Sequence, residues 1–400
     1  MKKRLLLLSV LLAAGLVRPL SAAEPAVPFS KWLDGVRSEA RAAGLTSAFL
    51  DSALSGLKPI KRVIELDRRQ PEFTLTFWNY LNKSVNATRI SRGREMLAKH
   101  KELLQKTASR FGVQPRFIVA FWGLESNYGK HTGVFPVVGA VATLAHDPRR
   151  SRFFRGQFIA ALTIMSRGDV ALKVKGSWAG AMGNFQFIPT TYRDFAVDAD
   201  GDGRRDLWNS HPDMFASAAN YLKRSGWRRG WSWGREIKLP KGFSFGQTGL
   251  GVRKTLGQWQ ALGVNRIDGS GLPNDEARAS IILPAGYEGP AFLVYQNYRT
   301  ILNWNRSLLY AIAVGHLADR LVGGGPFKST RPDREVPLSR TDVKDLQRLL
   351  AAKGFDSGGS DGVIGSKTRK AIKDYQNQIR LPADGYPSMG LLERLRGAGK

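Results

Sequence analysis

The sequence predicts a mainly α, α+β chain: a large helical unit with a small β insertion, then a separate small helical module. Three observations carry this. Apolar residues recur at i, i+3 and i+4 across residues 30–225 and again from Ser307 to Leu321, the period of helices with one buried face. Residues 235–300 change to short apolar runs bounded by Gly and Pro, as strands do. After Gly323-Gly324-Gly325-Pro326 a linker runs over 323–337, and a compact stretch with helical spacing follows.

Taken in order, Phe29, Trp32 and Val36 give the first stripe, and Phe73-Thr74-Leu75-Thr76-Phe77 alternates like a short strand. Arg89 to Phe111 is expected as one helical stretch ended by Gly112, and Pro115 suits the first position of the next helix. Strands are expected at Arg235–Leu239 and Ala279–Leu283, and at Phe292–Tyr295 after the Pro284–Pro290 turn. In the module, Val343, Leu346, Leu349 and Leu350 mark a helix ended by Gly354. Asp361–Gly365 is a turn, and Thr368 begins a helix carrying Ala371, Ile372, Tyr375 and Gln376. So small a domain has room for little besides a core and a shallow binding face.

One carboxylate stands out. Phe117, Phe121 and Glu125 lie at i, i+4 and i+8, so Glu125 shares a helical face with two aromatic rings. An apolar wall disfavours the charged carboxylate and raises its pKa, which suits a general acid for a leaving oxygen. The alternative is a Glu paired with an Arg or capping a neighbouring helix. Downstream, Lys175-Gly176-Ser177-Trp178-Ala179-Gly180-Ala181-Met182-Gly183-Asn184-Phe185-Gln186-Phe187 combines small residues with flat aromatic faces. Ser177 and Gln186 add polar groups able to bond hydroxyls or acetamides. The stretch fits a sugar-binding groove or, equally, a tightly packed helix–loop junction.

Together, the Gly-x-Glu-Ser-x-x-Gly and Gly-Ser-x-Ala-Gly-Ala-Met-Gly…Gln-Phe-x-Pro elements resemble the B-type lytic murein transglycosylases, over about residues 30 to 322. The resemblance implies a lysozyme-like catalytic domain that cleaves peptidoglycan glycan strands without water, leaving 1,6-anhydromuramoyl ends. It makes Glu125 the sole catalytic acid/base, and Ser177, Gln186, Asn220 and Tyr221 substrate-contacting positions. In Asn303-Trp304-Asn305 the Trp departs from the family's more familiar Tyr, so the site is placed on Asn305. The Leu-Gln-x-Leu-Leu…Asp-Gly-Val-Ile-Gly…Tyr-Gln pattern resembles the three-helix peptidoglycan-binding domain, expected over 338–400 behind a catalytic domain over 24–322. A muramidase using water, and a non-catalytic wall-binding protein, stay open as rival readings.

Lys2, Lys3 and Arg4 before an apolar run from Leu5 to Val17, then Ser21-Ala22-Ala23, read as a cleavable signal peptide over 1–23. The run is short for a membrane span. With no cysteine anywhere, a lipid anchor on Cys, disulfides and thiolate chemistry are excluded. The expected product is a soluble periplasmic protein. Its formal charge of +28 falls to +24 once Lys2, Lys3, Arg4 and Arg18 are removed. Secretion and scattered basic residues argue against nucleic acid, whereas the carboxylates of peptidoglycan stem peptides fit both charge and address. Cell-wall synthesis or division proteins are the partners such an enzyme could have; no organic cofactor is expected.

Asp198-Ala199-Asp200-Gly201-Asp202-Gly203-Arg204 matches the start of an EF-hand loop. Asp198, Asp200 and Asp202 occupy positions 1, 3 and 5, Gly203 the turn, and Arg204 the position that offers a backbone carbonyl. Asn209 replaces the bidentate Glu of position 12, and Asp213 closes the site, as a late Asp does in the resembled family. Three acids in five residues suit a structural calcium ion better than a solvated acidic turn. His131, His146, His211 and His316 are isolated and lack zinc spacing. Ser126 and Ser177 have no base beside them, so a Ser–His–Asp hydrolase is unsupported.

Overall fold

The computed structural model describes residues 27–68, 75–273, 275–331 and 336–397. The leader expected over 1–23 lies outside them. The helix Pro115–Ser126 sits at the centre: eight of its twelve residues are buried, on every side. Packed around it are Ala87–Lys99, Lys101–Phe111, His211–Arg224 and Leu308–Leu321. Val137–His146 against Ser151–Ser166, with Pro189–Phe195, forms a second helical layer.

The insertion is a five-stranded antiparallel sheet in the order Lys254–Thr255, Arg278–Ile282, Ala291–Val294, Gly234–Lys238, Asn265–Arg266. The three strands expected from sequence are its centre, and the two-residue edge strands escaped notice. Alternation sorts the side chains. Ala279, Ile281, Ala291 and Leu293 face a cluster around Trp259, while Ile282, Phe292 and Val294 join the large helical core. Burial on both faces explains why Ala291–Val294 reads as a continuous apolar run, whereas Gly234–Lys238 carries Arg235, Glu236 and Lys238.

Two expectations are corrected. The alternation at Phe73–Phe77 leads into a helix, Phe77–Ser84, whose start Thr76 caps by accepting the Asn79 N–H; residues 73 and 74 lie outside the described chain. The stretch from Arg89 to Phe111 is two helices, broken at His100, which stacks on the His211 ring with centroids 4.3 Å apart. That contact was hidden by sequence distance, so His211 is not isolated.

The C-terminal module comprises Arg340–Ala352, Ser366–Gln378 and Met389–Leu395, closed over Leu346, Leu350, Ile372 and Leu392. It docks on the insertion. Lys373 Nζ donates to the Thr248 carbonyl at 2.6 Å, and the Tyr287 N–H to Asp384 at 2.8 Å. The segment before it is also fastened: the buried Glu236 carboxylate accepts the N–H groups of Lys328 and Ser329, both at 2.7 Å. Phe327 stacks on His316 at 3.9 Å.

Candidate active site

Glu125 lies in the last turn of the central helix. Beyond it Asn127 and Tyr128 are both left-handed (φ 52° and 59°), a costly backbone that persists only where its surroundings enforce it. Enforcement comes from the buried Tyr128, whose hydroxyl donates to the Arg89 carbonyl at 2.7 Å. Ser126 Oγ accepts the Gly129 N–H at 2.9 Å, so this hydroxyl fastens the turn.

Glu125 Oε1 accepts the indole N–H of Trp304 at 2.9 Å and the hydroxyl of Tyr310. Both donors were missed. Trp304 ends the helix Gln296–Trp304, and Tyr310 lies in the first turn of Leu308–Leu321. Asn305, favoured over Trp304 at the sequence level, accepts the Ser307 N–H at 3.0 Å; Ser307 then caps the helix bearing Tyr310. Asn305 thus shapes the elbow joining the two donors. The expected aromatic wall is Phe121 with Trp304, rings 4.5 Å apart, while Phe117 turns to Trp227 at 4.8 Å.

Trp304 also ties the glycine-rich loop to the carboxylate, its ring lying 5.3 Å from Phe187, 6.2 Å from Phe185 and 4.9 Å from Tyr221. The loop opens where Lys175–Gly176 pairs with Phe135–Pro136. Gly133 (φ 109°) admits this approach: a Cβ there would lie 1.9 Å from the Gly176 carbonyl carbon. Ser177 Oγ accepts the N–H groups of Ala179 (3.2 Å) and Ala181 (3.0 Å), leaving its O–H as a donor. Gln186, left-handed at φ 49°, spends its amide N–H on the carbonyls of Thr132 (3.1 Å) and Gly183 (2.9 Å), leaving Oε1 as an acceptor.

Asn184, not singled out as a site residue from sequence, is buried and bridges three segments. Its Oδ1 accepts the Trp122 indole N–H at 2.8 Å, and its Nδ2 donates to Leu207 (3.2 Å) and Trp208 (2.8 Å). Asn220 donates to the Phe195 carbonyl at 2.9 Å, and the Tyr221 hydroxyl to the Asn303 carbonyl at 2.8 Å. Burial pushes the Tyr221 phenol above its ordinary pKa.

The ligand atoms of Asp198, Asp200 and Asp202 lie within 4.8 Å of one another. Asp198 accepts the N–H groups of Gly201 and Gly203, curling the loop, and Ser210 Oγ donates to Asp200 at 2.5 Å, holding that carboxyl below its usual pKa. Asp213 is fully buried behind them, accepting the N–H groups of Ala199 (2.7 Å) and Asp206 (2.8 Å); desolvation raises its pKa. Asp198, Asp200 and Asp202 are a convergent all-oxygen set of the kind a hard divalent cation takes, whereas Asp213, expected to close the site, is not in that group and has both oxygens on backbone N–H groups. The loop is tied to the site: Tyr192 donates to the Arg205 carbonyl, and the Asn184 N–H to Leu207 at 2.8 Å.

A buried helix end presenting one carboxylate to a loop of small residues and aromatics defines a glycan-cleaving enzyme of the lysozyme-like class. Residues 28–319 match the transglycosylase SLT domain, and residues 339–395 a putative peptidoglycan binding domain. The membrane-bound lytic murein transglycosylase B of Escherichia coli (strain K12) is 30% identical over 292 residues, 67% of this chain and 76% of the relative. The structure of SltB3 from Pseudomonas aeruginosa in complex with NAG-anhNAM-pentapeptide superposes with a TM-score of 0.88 at 48% identity, covering 92% of this chain and 99% of that one. The Escherichia coli lytic transglycosylase Slt35 in complex with calcium gives a TM-score of 0.63 at 28% identity, covering 74% and 93%. The chain belongs to the SLT transglycosylase family. It is a lytic transglycosylase of peptidoglycan, joined to a peptidoglycan-binding module.

Proposed function

We propose that Glu125 is the acid and the base of this cleavage. The observation that carries the reading is its position: a carboxyl at the end of the central helix, held by Trp304 and Tyr310, with Trp304 packed on the Ser177–Gln186 loop. Glu125 gives its proton to the glycosidic oxygen between N-acetylmuramic acid and N-acetylglucosamine as that bond breaks through an oxocarbenium-like state. The substrate's acetamido group stabilises the cation. The carboxylate then takes the proton of the muramoyl 6-hydroxyl, whose oxygen closes the 1,6-anhydro ring, and no water is consumed. The ligand crystallised with the SltB3 relative, NAG-anhNAM-pentapeptide, supports this product.

In this reading the Ser177 O–H and Gln186 Oε1 bond substrate hydroxyls or the acetamide, and Asn220, Tyr221 and Asn305 shape the groove. Asp198, Asp200, Asp202 and the Arg204 carbonyl would hold calcium as a structural clamp behind the Gly183–Tyr192 segment. A calcium complex of the Slt35 relative supports that assignment. The units are a leader over 1–23, a catalytic domain over 24–322, a linker over 323–337 and a wall-binding module over 338–400. The protein works in the periplasm. Among the described residues no helix is long and apolar enough to cross a membrane. The test is Glu125→Gln, which should abolish turnover of purified sacculi while the melting temperature stays that of wild type; retained turnover would overturn the assignment.

A further inference from the structure

Two hydrogen bonds to Glu125 fall on the same oxygen. Trp304 Nε1–H reaches Oε1 at 2.9 Å, and Tyr310 is bonded to the same atom. The partners differ in kind. A phenol hydroxyl can turn and accept, so Tyr310 can follow the carboxyl through either protonation state. An indole N–H has no lone pair to offer and only donates. Nor can the indole swing away: its ring is wedged among Phe121, Tyr221 and Phe187 at 4.5, 4.9 and 5.3 Å. The end of its helix is pinned where the Tyr221 hydroxyl donates to Asn303.

With both partners donating, the two in-plane lone pairs of Oε1 are taken, and a proton has no place there. Were Tyr310 to turn and accept, the indole bond would have to fall on the hydroxyl oxygen of an acid, a poorer acceptor than its carbonyl oxygen. We propose that Trp304 is a positioning residue that keeps Oε1 an acceptor throughout the cycle. Oε2 is then the atom that delivers the proton to the glycosidic oxygen and later takes one from the 6-hydroxyl. This rests on the acid/base reading of Glu125 and adds which atom acts and what fixes it. A donor-only partner also favours the carboxylate, as any hydrogen bond to the charged form does.

The titratable groups around the pair are assigned from each element packed there. Tyr310, on Leu308–Leu321, is bonded to Glu125 itself. Tyr221, on His211–Arg224, spends its hydroxyl on Asn303, and Tyr128, beyond the helix end, on Arg89. On Ala87–Lys99, Arg89 and Arg92 both act on Tyr128, and Arg92 lies over its ring at 5.9 Å.

The test uses the full-length protein with a soluble peptidoglycan fragment as substrate. Trp304→Phe keeps an aromatic ring against Phe121 and deletes the N–H. We expect kcat to fall by about tenfold or more with KM changed less than about twofold. The limb of the kcat–pH profile that reports loss of the acid proton should move up by about one pH unit. An unmoved limb, or a raised KM with kcat intact, overturns the proposal. A second measurement needs no variant to fold. In wild type labelled with 15N-tryptophan, the Trp304 indole proton should stay at a hydrogen-bonded shift on both sides of the Glu125 titration. Movement to an unbonded shift as Glu125 protonates would place the proton on Oε1 and refute the assignment. Failure of the acid/base reading shows separately, as turnover by Glu125→Gln.

Discussion

Asn184→Ala removes the residue that bolts the glycine-rich loop to the central helix, and its cost can be worked from the contacts. The side chain is 3% exposed and serves three partners. Leu207 O keeps the backbone N–H of residue 184, at 2.8 Å, so it is not orphaned. The Trp122 indole N–H (2.8 Å) and the Trp208 carbonyl (2.8 Å) do lose their bonds. A buried polar group stripped of its partner costs about 1–3 kcal/mol, so two cost roughly 2–6 kcal/mol, and water entering the vacated space lowers the sum towards about 3 kcal/mol. In a unit of about 300 residues, whose unfolding entropy is about 0.6 kcal/mol/K, that is about 5 °C of melting temperature. Scanning calorimetry of the catalytic-unit transition measures it. Asn184→Asp, which retains an acceptor for Trp122 but sets a second oxygen against the Leu207 and Trp208 carbonyls, should cost at least as much. A drop under about 2 °C for the alanine variant would refute the claim that this side chain holds loop and helix together.

Other outcomes follow from the same contacts. Calcium should raise the melting temperature, and Asp200→Ala should abolish that rise; no calcium-dependent shift in wild type would dismiss the clamp. His316, buried against Phe327, has its pKa pushed down to about 4 by desolvation, aided by Arg320. Its folded pKa lies below the unfolded value, so its contribution is complete above about pH 6.5 and is lost as the pH falls from there towards 4. That amounts to about 3 kcal/mol, and His316→Phe should flatten this part of the stability–pH curve relative to wild type. An unchanged curve would place the acid sensitivity elsewhere. Lys373→Met with Asp384→Ala should release the module from the insertion and speed proteolysis between residues 326 and 338, while cleavage of short glycans persists. Equal proteolysis rates would mean the docking is held by other contacts.

The parts of the site legible in sequence are those whose partners are local. Glu125 stood out because Phe121 precedes it by one helical turn, and the acidic loop because its carboxylates lie between residues 198 and 213. Trp304 and Tyr310 were missed because they reach Glu125 across 179 and 185 residues, a distance at which periodicity carries no signal. The one hint was Trp304 itself, an aromatic with a polar tip between two asparagines. Asn184 was passed over because its neighbours suggested a groove contact, whereas its three bonds run inward. In the fold, the strand Ala291–Val294, buried on both faces, announced itself as an apolar run, but the break at His100 did not. No Gly or Pro marks it; the residue at the break, His100, stacks on the His211 ring of another helix.

The most direct test of the central claim is mass spectrometry of the fragments released from purified sacculi by wild type and by Glu125→Gln. The account predicts 1,6-anhydromuramoyl ends from wild type and no release by the variant. Reducing muramic ends from wild type, or anhydro ends from the variant, would contradict it.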